Sequence, residues 1–289
     1  MAVKSVLVPI DGGEASFAAL NQACVVAKRF GAHIMALHVM QRVSDGAPVG
    51  LYNLSADMRK DIEQKVEAAE LDKSKELQAQ FEDLCRKCDI AVTDRPLEKD
   101  GATAAWYQQW GRANDVIVSH GRVSDVIVVR RPELKKSTIR RSRLGENIEA
   151  VLLSTARPVL LVPPGSEARE CGKIAIGWNE SAEASRALAM TLPWISAMGA
   201  ATVMVSKKRE PRVKRLVDYL SWHGVMADVV LLDGKGDTVG EAMLNTCAEI
   251  GAELLVVGGF SQGRARQLFF GGVTGHLLSH SNILTVMVH

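Results

Sequence analysis

The residues best suited to chemistry lie close together near the end of the chain: Gly258, Gly259, Ser261, Gly263, Gly271 and Gly272. The apolar run 253–257 ends at Gly258, a polar loop containing Arg264 and Arg266 follows, and Gly271-Gly272 opens a helical pattern that begins at Val273. A strand, a glycine-rich loop and a helix N-terminus leave backbone N–H groups converging on one point, which is the chemistry of phosphate binding. The loop is long for a bare connection. Thirteen residues separate Gly258 from Gly272 (272−258−1), where an α/β unit usually needs about 2–6. The plain alternative is a turn in which glycine serves only the backbone. Gly177, Trp178 and Asn179, at the end of an earlier apolar run, would stand beside such a pocket. There Trp178 either stacks on a base or fills the core.

Other constellations are weaker. His276 and His280 are four apart on a helical stretch, but no Glu between them and no third ligand completes a metal set. Cys85 and Cys88 form a single Cys-x-x-Cys at the end of a charged helical stretch, without the strand-to-helix turn of a redox site, and read as plain thiols. Gly-x-x-x-x-Gly-Lys-Ser/Thr is absent, and no nucleophile–base pairing is visible. No catalytic residue is assigned; the most this chemistry allows is slow, incidental hydrolysis of a bound phosphate compound.

The elements that would position these residues follow from the chain as a whole. Its 289 residues suggest two domains. A net charge of +2 argues against nucleic acid or an anionic membrane as main partner, and no apolar run approaches the ~20 residues of a membrane span. The N-terminus enters a strand-like run without a signal-peptide pattern, so the expected compartment is the cytoplasm.

Strands are expected at 5–10 and 32–39, around a helix at 15–30 that Gly31 stops. The same unit recurs: strand 174–178, Ser181 as N-cap, helix 182–198, Gly199 as stop, strand 200–206. Asp11 pairs with Asn179 and Gly31 with Gly199, both 168 apart (179−11 and 199−31), without a gap. This is a duplication. The first half (1–165) continues with an insertion at 40–56, a charged helix 58–87, strand 102–107, helix 112–122, strand 125–129, helix 146–155 and a last strand ending at Val162. The second (170–289) continues with helix 211–224, strand 225–232, helix 237–250, strand 253–257, helix 272–281 and strand 283–288. Such apolar strands alternating with helices predict an α/β fold: two tandem open parallel five-stranded sheets with helices on both faces.

The opening strand ending in Pro9-Ile10-Asp11, the repeat and the late glycine loop resemble the universal stress protein family in its tandem, two-domain form, over nearly the whole chain. The resemblance implies the strand order 3-2-1-4-5 in each half, an acidic residue after the first strand for the adenosine end of ATP, and a loop G-x2-G-x9-G-(S/T) after the fourth. Gly258 and Gly271 match that loop, Ser261 stands where a glycine is expected, Gly272 replaces the hydroxyl residue, and Gly263 lies close by. Asn179 occupies the acidic position. The first half keeps Asp11 but has Arg130-Arg131-Pro132 in place of the glycines, followed by Lys135, Lys136, Arg140, Arg141 and Arg143. That basic stretch reads either as a solvated loop or as an anion or partner surface.

The resemblance therefore implies a stress-response regulatory protein whose second half binds ATP, ADP or AMP, with Mg²⁺, through Gly258, Gly259, Ser261, Gly263, Gly271, Gly272, Val273, Gly177, Trp178 and Asn179. Two other readings stay open at this level: a ligand-free interaction protein acting through protein partners, and a small-molecule or lipid carrier with a modified pocket. The family also implies that the closing strands 159–162 and 284–288 pair, making an intramolecular pseudo-dimer; whether two chains associate further is not readable from the sequence.

Overall fold

A computed structural model describes residues 3–45, 55–95, 101–131, 143–233, 236–259 and 272–289, with the backbone alone for Ala15 and 143–147. In the first half, β1 (Ser5–Ile10), α1 (Glu14–Phe30) and β2 (His33–Met40) lead to the long α2 (Ala56–Lys87). β3 (Ala91–Val92), β4 (Thr103–Trp110), α3 (Ala113–Gly121), β5 (Val126–Arg130), α4 (Arg143–Ser154) and β6 (Val159–Val162) follow. The second half comprises β7 (Ile174–Gly177), α5 (Ala182–Met198), β8 (Ala200–Val205), α6 (Lys214–Trp222), β9 (Met226–Leu231), α7 (Val239–Ile250), β10 (Leu254–Gly258), α8 (Val273–His280) and β11 (Leu284–Val288).

The duplication is visible at the level of caps. α1 and α5 end on left-handed Gly31 and Gly199 (φ 59° and 71°), and the Ser181 hydroxyl accepts from the Ala184 N–H at 3.1 Å. Each half has its strands in the order implied by the resemblance. Written outward to inward, the first runs β4-β2-β1-β5-β6 and the second β9-β8-β7-β10-β11. The α/β class is thus as expected. The closing strands 159–162 and 284–288 pair, as the resemblance implies: β6 and β11 pair antiparallel and join the two five-stranded sheets, with β3 added, into one 11-stranded sheet. The short β3, absent from the sequence reading, extends the outer edge of the first half. Two exposed residues between Pro-containing and charged segments give too brief an apolar pattern to be seen.

Alternate strand residues feed two cores. Val6, Val8 and Ile10 pack with α1, α2, α5 and α6 on one face; Leu7 packs with α3, α4, α7 and α8 on the other. Each core contains residues of both halves, as burial on both faces of a parallel sheet requires. α2 places Ser74, Leu77, Phe81 and Cys85 in one buried stripe. Its 32 residues span about 48 Å at 1.5 Å each, so its N-terminal part overshoots the carboxyl ends of the strands it covers.

Because the sheet and both cores are continuous, the halves should unfold together. Leu160, fully buried at the β6–β11 pairing, should cost about 2–5 kcal/mol on replacement by Ala. Urea unfolding of Leu160→Ala, followed by circular dichroism and tryptophan fluorescence, should show one coincident transition at lower urea; two separated transitions would contradict a shared core.

Candidate functional site

In each half the first strand turns to one side and the fourth to the other, so a crevice opens at their carboxyl ends. Open α/β sheets bind ligands at this switch point. The two crevices lie at opposite edges of the sheet, because β6 and β11 run antiparallel.

At the second-half crevice lie Gly177, Trp178, Asn179, Gly258 and Gly259, at the ends of β7 and β10, and Gly272 with Val273 at the start of α8. The register Val257↔Gly177 sets the ends of β10 and β7 side by side. Gly258 is pressed against the first turn of α5: a Cβ there would lie 2.5 Å from the Ala184 nitrogen. Gly177 faces the Met243 side chain, which occupies the space a Cβ would need. The Gly259 N–H donates to the Val288 carbonyl at 2.7 Å and so continues the β10–β11 ladder, while the Gly259 carbonyl meets His289 Nδ1 at 3.1 Å. Trp178 is half-buried and packs on the core shared with α5 and α6. Asn179 Oδ1 accepts from the Ser181 N–H at 3.0 Å. Gly272, at φ 100°, opens α8 with nothing within 4 Å of a Cβ position, and the N–H groups of the first turn, starting at Val273, have no partner carbonyl within the helix. Ser261, Gly263 and Gly271 lie outside the described residues, as do Arg264 and Arg266.

The first-half crevice contains a cavity of about 770 Å³. Asp11 lines it just past β1, with Oδ1 accepting from the Gly13 N–H at 3.0 Å. Gly12, at φ 98°, lies under Lys73, whose Cε is 3.1 Å from a Cβ position. The overshooting part of α2 thereby brings Lys73 and Glu70 to the wall. From the opposite face of the sheet come Arg112, Asn114 and Asp115 around the start of α3, and Arg130 from the end of β5. His38 closes the cavity from β2. It is 1 % exposed, its Nδ1 is 2.8 Å from the Ile10 carbonyl, and its ring stacks on Trp106 with centroids 5.9 Å apart. His38 Nε2 and Asn114 Oδ1 are buried without a hydrogen-bond partner among the described residues.

Of these groups only Asp11 and Arg130 drew notice from the sequence. His38 sits in an apolar strand, Lys73 in a charged helix, and only strand pairing and the reach of α2 bring them together. The basic stretch divides. Arg130 lines the cavity, whereas Arg131 crosses to the other half and donates from Nη1 to the Leu278 and Ser279 carbonyls at 3.2 and 2.6 Å. A guanidinium on the last carbonyls of α8 is favourable to the helix dipole. Residues 132–142 lie outside the described residues.

His276 and His280 stack at 4.4 Å, with the His276 imidazole held below its usual range first by burial and then by the charge of His280. No group of three or more His, Cys, Asp or Glu among the described residues is placed to hold a metal. Burial pushes the Cys85 thiol up to about 12, which disfavours the reactive thiolate. No helix among the described residues is long and apolar enough to cross a membrane.

Doubly wound halves with carboxyl-end crevices, fused through their last strands, define the class of this protein. The family model of the universal stress proteins matches residues 2–163, more than half of the chain, and the chain belongs to the universal stress protein family. No curated protein matches it. Among solved structures it is similar to a universal stress protein from Archaeoglobus fulgidus DSM 4304 (15% identity, TM-score 0.71, covering 98% of this chain and 97% of that one). It is also similar to a putative universal stress protein from Pseudomonas aeruginosa UCBPP-PA14 (14% identity, TM-score 0.54, 99% and 93% covered). At these identities the likeness concerns the fold.

The packing at Gly258 yields a test. Gly258→Ala forces a methyl against the α5 backbone and should cost about 1–3 kcal/mol, as overpacking does. Gly259→Ala, whose nearest neighbour would be the Val288 carbonyl at 3.7 Å, should cost far less. Equal thermal midpoints for the two variants would contradict the close approach of α5.

Proposed function

We propose that this chain is a stress-response regulatory protein that binds an adenine nucleotide without dedicated catalysis, and that the first-half cavity is the principal site. The observation that carries the reading is the cavity of about 770 Å³ around Asp11 at the switch point, well within the roughly 300–1,000 Å³ of small-molecule sites. Its chemistry suits a nucleotide. One Asp11 oxygen is held by its own turn, and the carboxylate can take a ribose hydroxyl in a charge-assisted bond. Lys73, Arg112 and Arg130 ring the cavity and can meet phosphates. Mg²⁺ would arrive with the nucleotide, held mainly by its phosphates.

The second-half set proposed from the sequence, Gly258, Ser261, Gly271, Gly272 and Val273 with Gly177, Trp178 and Asn179, remains a separate proposal for a phosphate site; the N-terminus of α8 behind Gly272 supports it. Gly259 and Gly263 belong to the same loop. An interaction role is favoured by one further observation: the outer edge strand β9 presents Met226 (77 % exposed) beside Trp222 (87 %), an apolar edge of the sort proteins usually cover.

Thermal unfolding with millimolar Mg²⁺-ATP separates these readings. A ligand at 100 times its dissociation constant should add roughly 2.7 kcal/mol. The rise in midpoint should vanish in Asp11→Ala and persist in Asn179→Ala. The reverse pattern moves the nucleotide to the second half, and no rise with ATP, ADP or AMP leaves the interaction role.

A further inference from the structure

We propose that Cys88 and Cys24 form a peroxide-sensitive thiol pair: a hydroperoxide oxidises the Cys88 Sγ, and Cys24 resolves the product as a disulfide that ties the end of α2 to α1.

The chain has five cysteines, and three of them gather where the C-terminal end of α2 packs on α1. Cys24 (1 % exposed) and Cys85 (fully buried) belong to one core, and Cys88 packs against it. The Cys24 and Cys88 side chains hydrogen-bond to each other. The Cys88 thiol also donates to Asn21 Oδ1 at 3.4 Å. Asn21 stands three residues before Cys24 on α1, so the two share a face of that helix, and Cys88 lies over it.

Exposure assigns the roles. Cys24 and Cys85 are buried, whereas Cys88, the C-cap residue of α2, is only half-buried. Burial, and then the neighbouring Cys88, holds the Cys24 thiol above its ordinary range, so Cys24 is not the first to react. The Cys88 thiolate attacks one peroxide oxygen and the O–O bond breaks. The other oxygen leaves as water or an alcohol, taking up the proton that Cys88 released. Cys24 sulfur then attacks the sulfur of the Cys88 sulfenic acid, the S–O bond breaks, and hydroxide leaves as water with the Cys24 proton. The two thiols lose two electrons in all, and the peroxide gains them.

Cys85 is nearer in sequence but is the poorer resolving group. Its sulfur meets Cys88 only if the last turn of α2 opens. That turn is held by the Cys88 N–H on the Leu84 carbonyl and the Ile90 N–H on the Cys85 carbonyl, both at 2.9 Å. The Cys24 and Cys88 sulfurs need to close from hydrogen-bonding distance to about 2.05 Å, which a side chain at the helix end can do by turning. The bond closes a ring with 63 residues between its ends (88−24−1), and long rings restrict the unfolded chain most. It also pins α2, the helix that brings Lys73 and Glu70 to the first-half cavity.

The test treats the reduced full chain with a small excess of hydrogen peroxide, alkylates free thiols in denaturant and maps the peptides by mass spectrometry. The expected result is loss of two of the five thiols, a peptide linking Cys24 to Cys88, and a raised thermal midpoint that dithiothreitol reverses. Cys88→Ser should abolish both the link and the rise. Cys24→Ala should leave Cys88 as a sulfenic acid that dimedone traps, and Cys85→Ala should still form the link. The wild-type peptide map decides the matter even if the two buried variants fail to fold. A link to Cys85, a link only between two chains, oxidation of Cys171 in preference to Cys88, accumulation of Cys88 sulfinic acid without a link, or no loss of thiols overturns the proposal.

Discussion

The antiparallel pairing of β6 with β11 is the constraint on which the molecule depends. Thr285, Val286 and Met287 face Leu161, Leu160 and Val159, and all six are buried. Either strand alone would be an apolar edge open to association; paired, they remove each other's edge and make one sheet of two. Because this one pairing is antiparallel within an otherwise parallel sheet, the carboxyl ends of the two halves point to opposite sides. A ligand in one crevice cannot touch the other. Communication would run through the shared cores or through the hydrogen bonds that cross between the halves, among them Arg29 to the Ala197 carbonyl and Arg131 to the last carbonyls of α8, the helix whose other end opens the second crevice.

Duplication placed equivalent elements around both crevices, and later changes treated them differently. In the first half the helix after β2 has 32 residues and carries Lys73 and Glu70 past the strand ends. Its counterpart α6 has nine and cannot roof the second crevice in that way. In the first half Asp11 retains a carboxylate; in the second Asn179 takes the same turn with an amide. Met243 fills the space beside Gly177. The half that lost its glycine loop holds a cavity of about 770 Å³ around Asp11.

These differences explain what could be read from the sequence. Helix stops at Gly31 and Gly199, the cap at Ser181 and the 168-residue repeat are local features, and local physics fixes them. Strand alternation into two cores follows from apolar runs too continuous for a half-exposed sheet. The site was legible only where a residue type announces itself: Asp11 and the glycines. Gly258 shows the limit of such signals, since the packing of α5 already demands a glycine there, with or without a phosphate. Gly259 shows it again, its N–H serving the sheet. Cys24 and Cys88 were illegible as a pair, because only the packing of α1 against the end of α2 brings their thiols together.

A cavity with cations in place of a glycine nest should also recognise differently. Backbone N–H groups around an anion demand one geometry, whereas a lysine ammonium is a mobile point charge that tolerates several. Lys73 reaches the cavity on a flexible stem, from a helix whose exposed length is long. The anionic end of a ligand would then be held loosely, with limited discrimination between one phosphate and three. Selectivity would then rest on the Asp11 carboxylate, which its own turn holds in place. A site built to hydrogen-bond a ligand's O–H or N–H rejects an analogue that lacks it. On this argument a ligand of the first-half cavity would be selected by its hydrogen-bond donors more than by its charge.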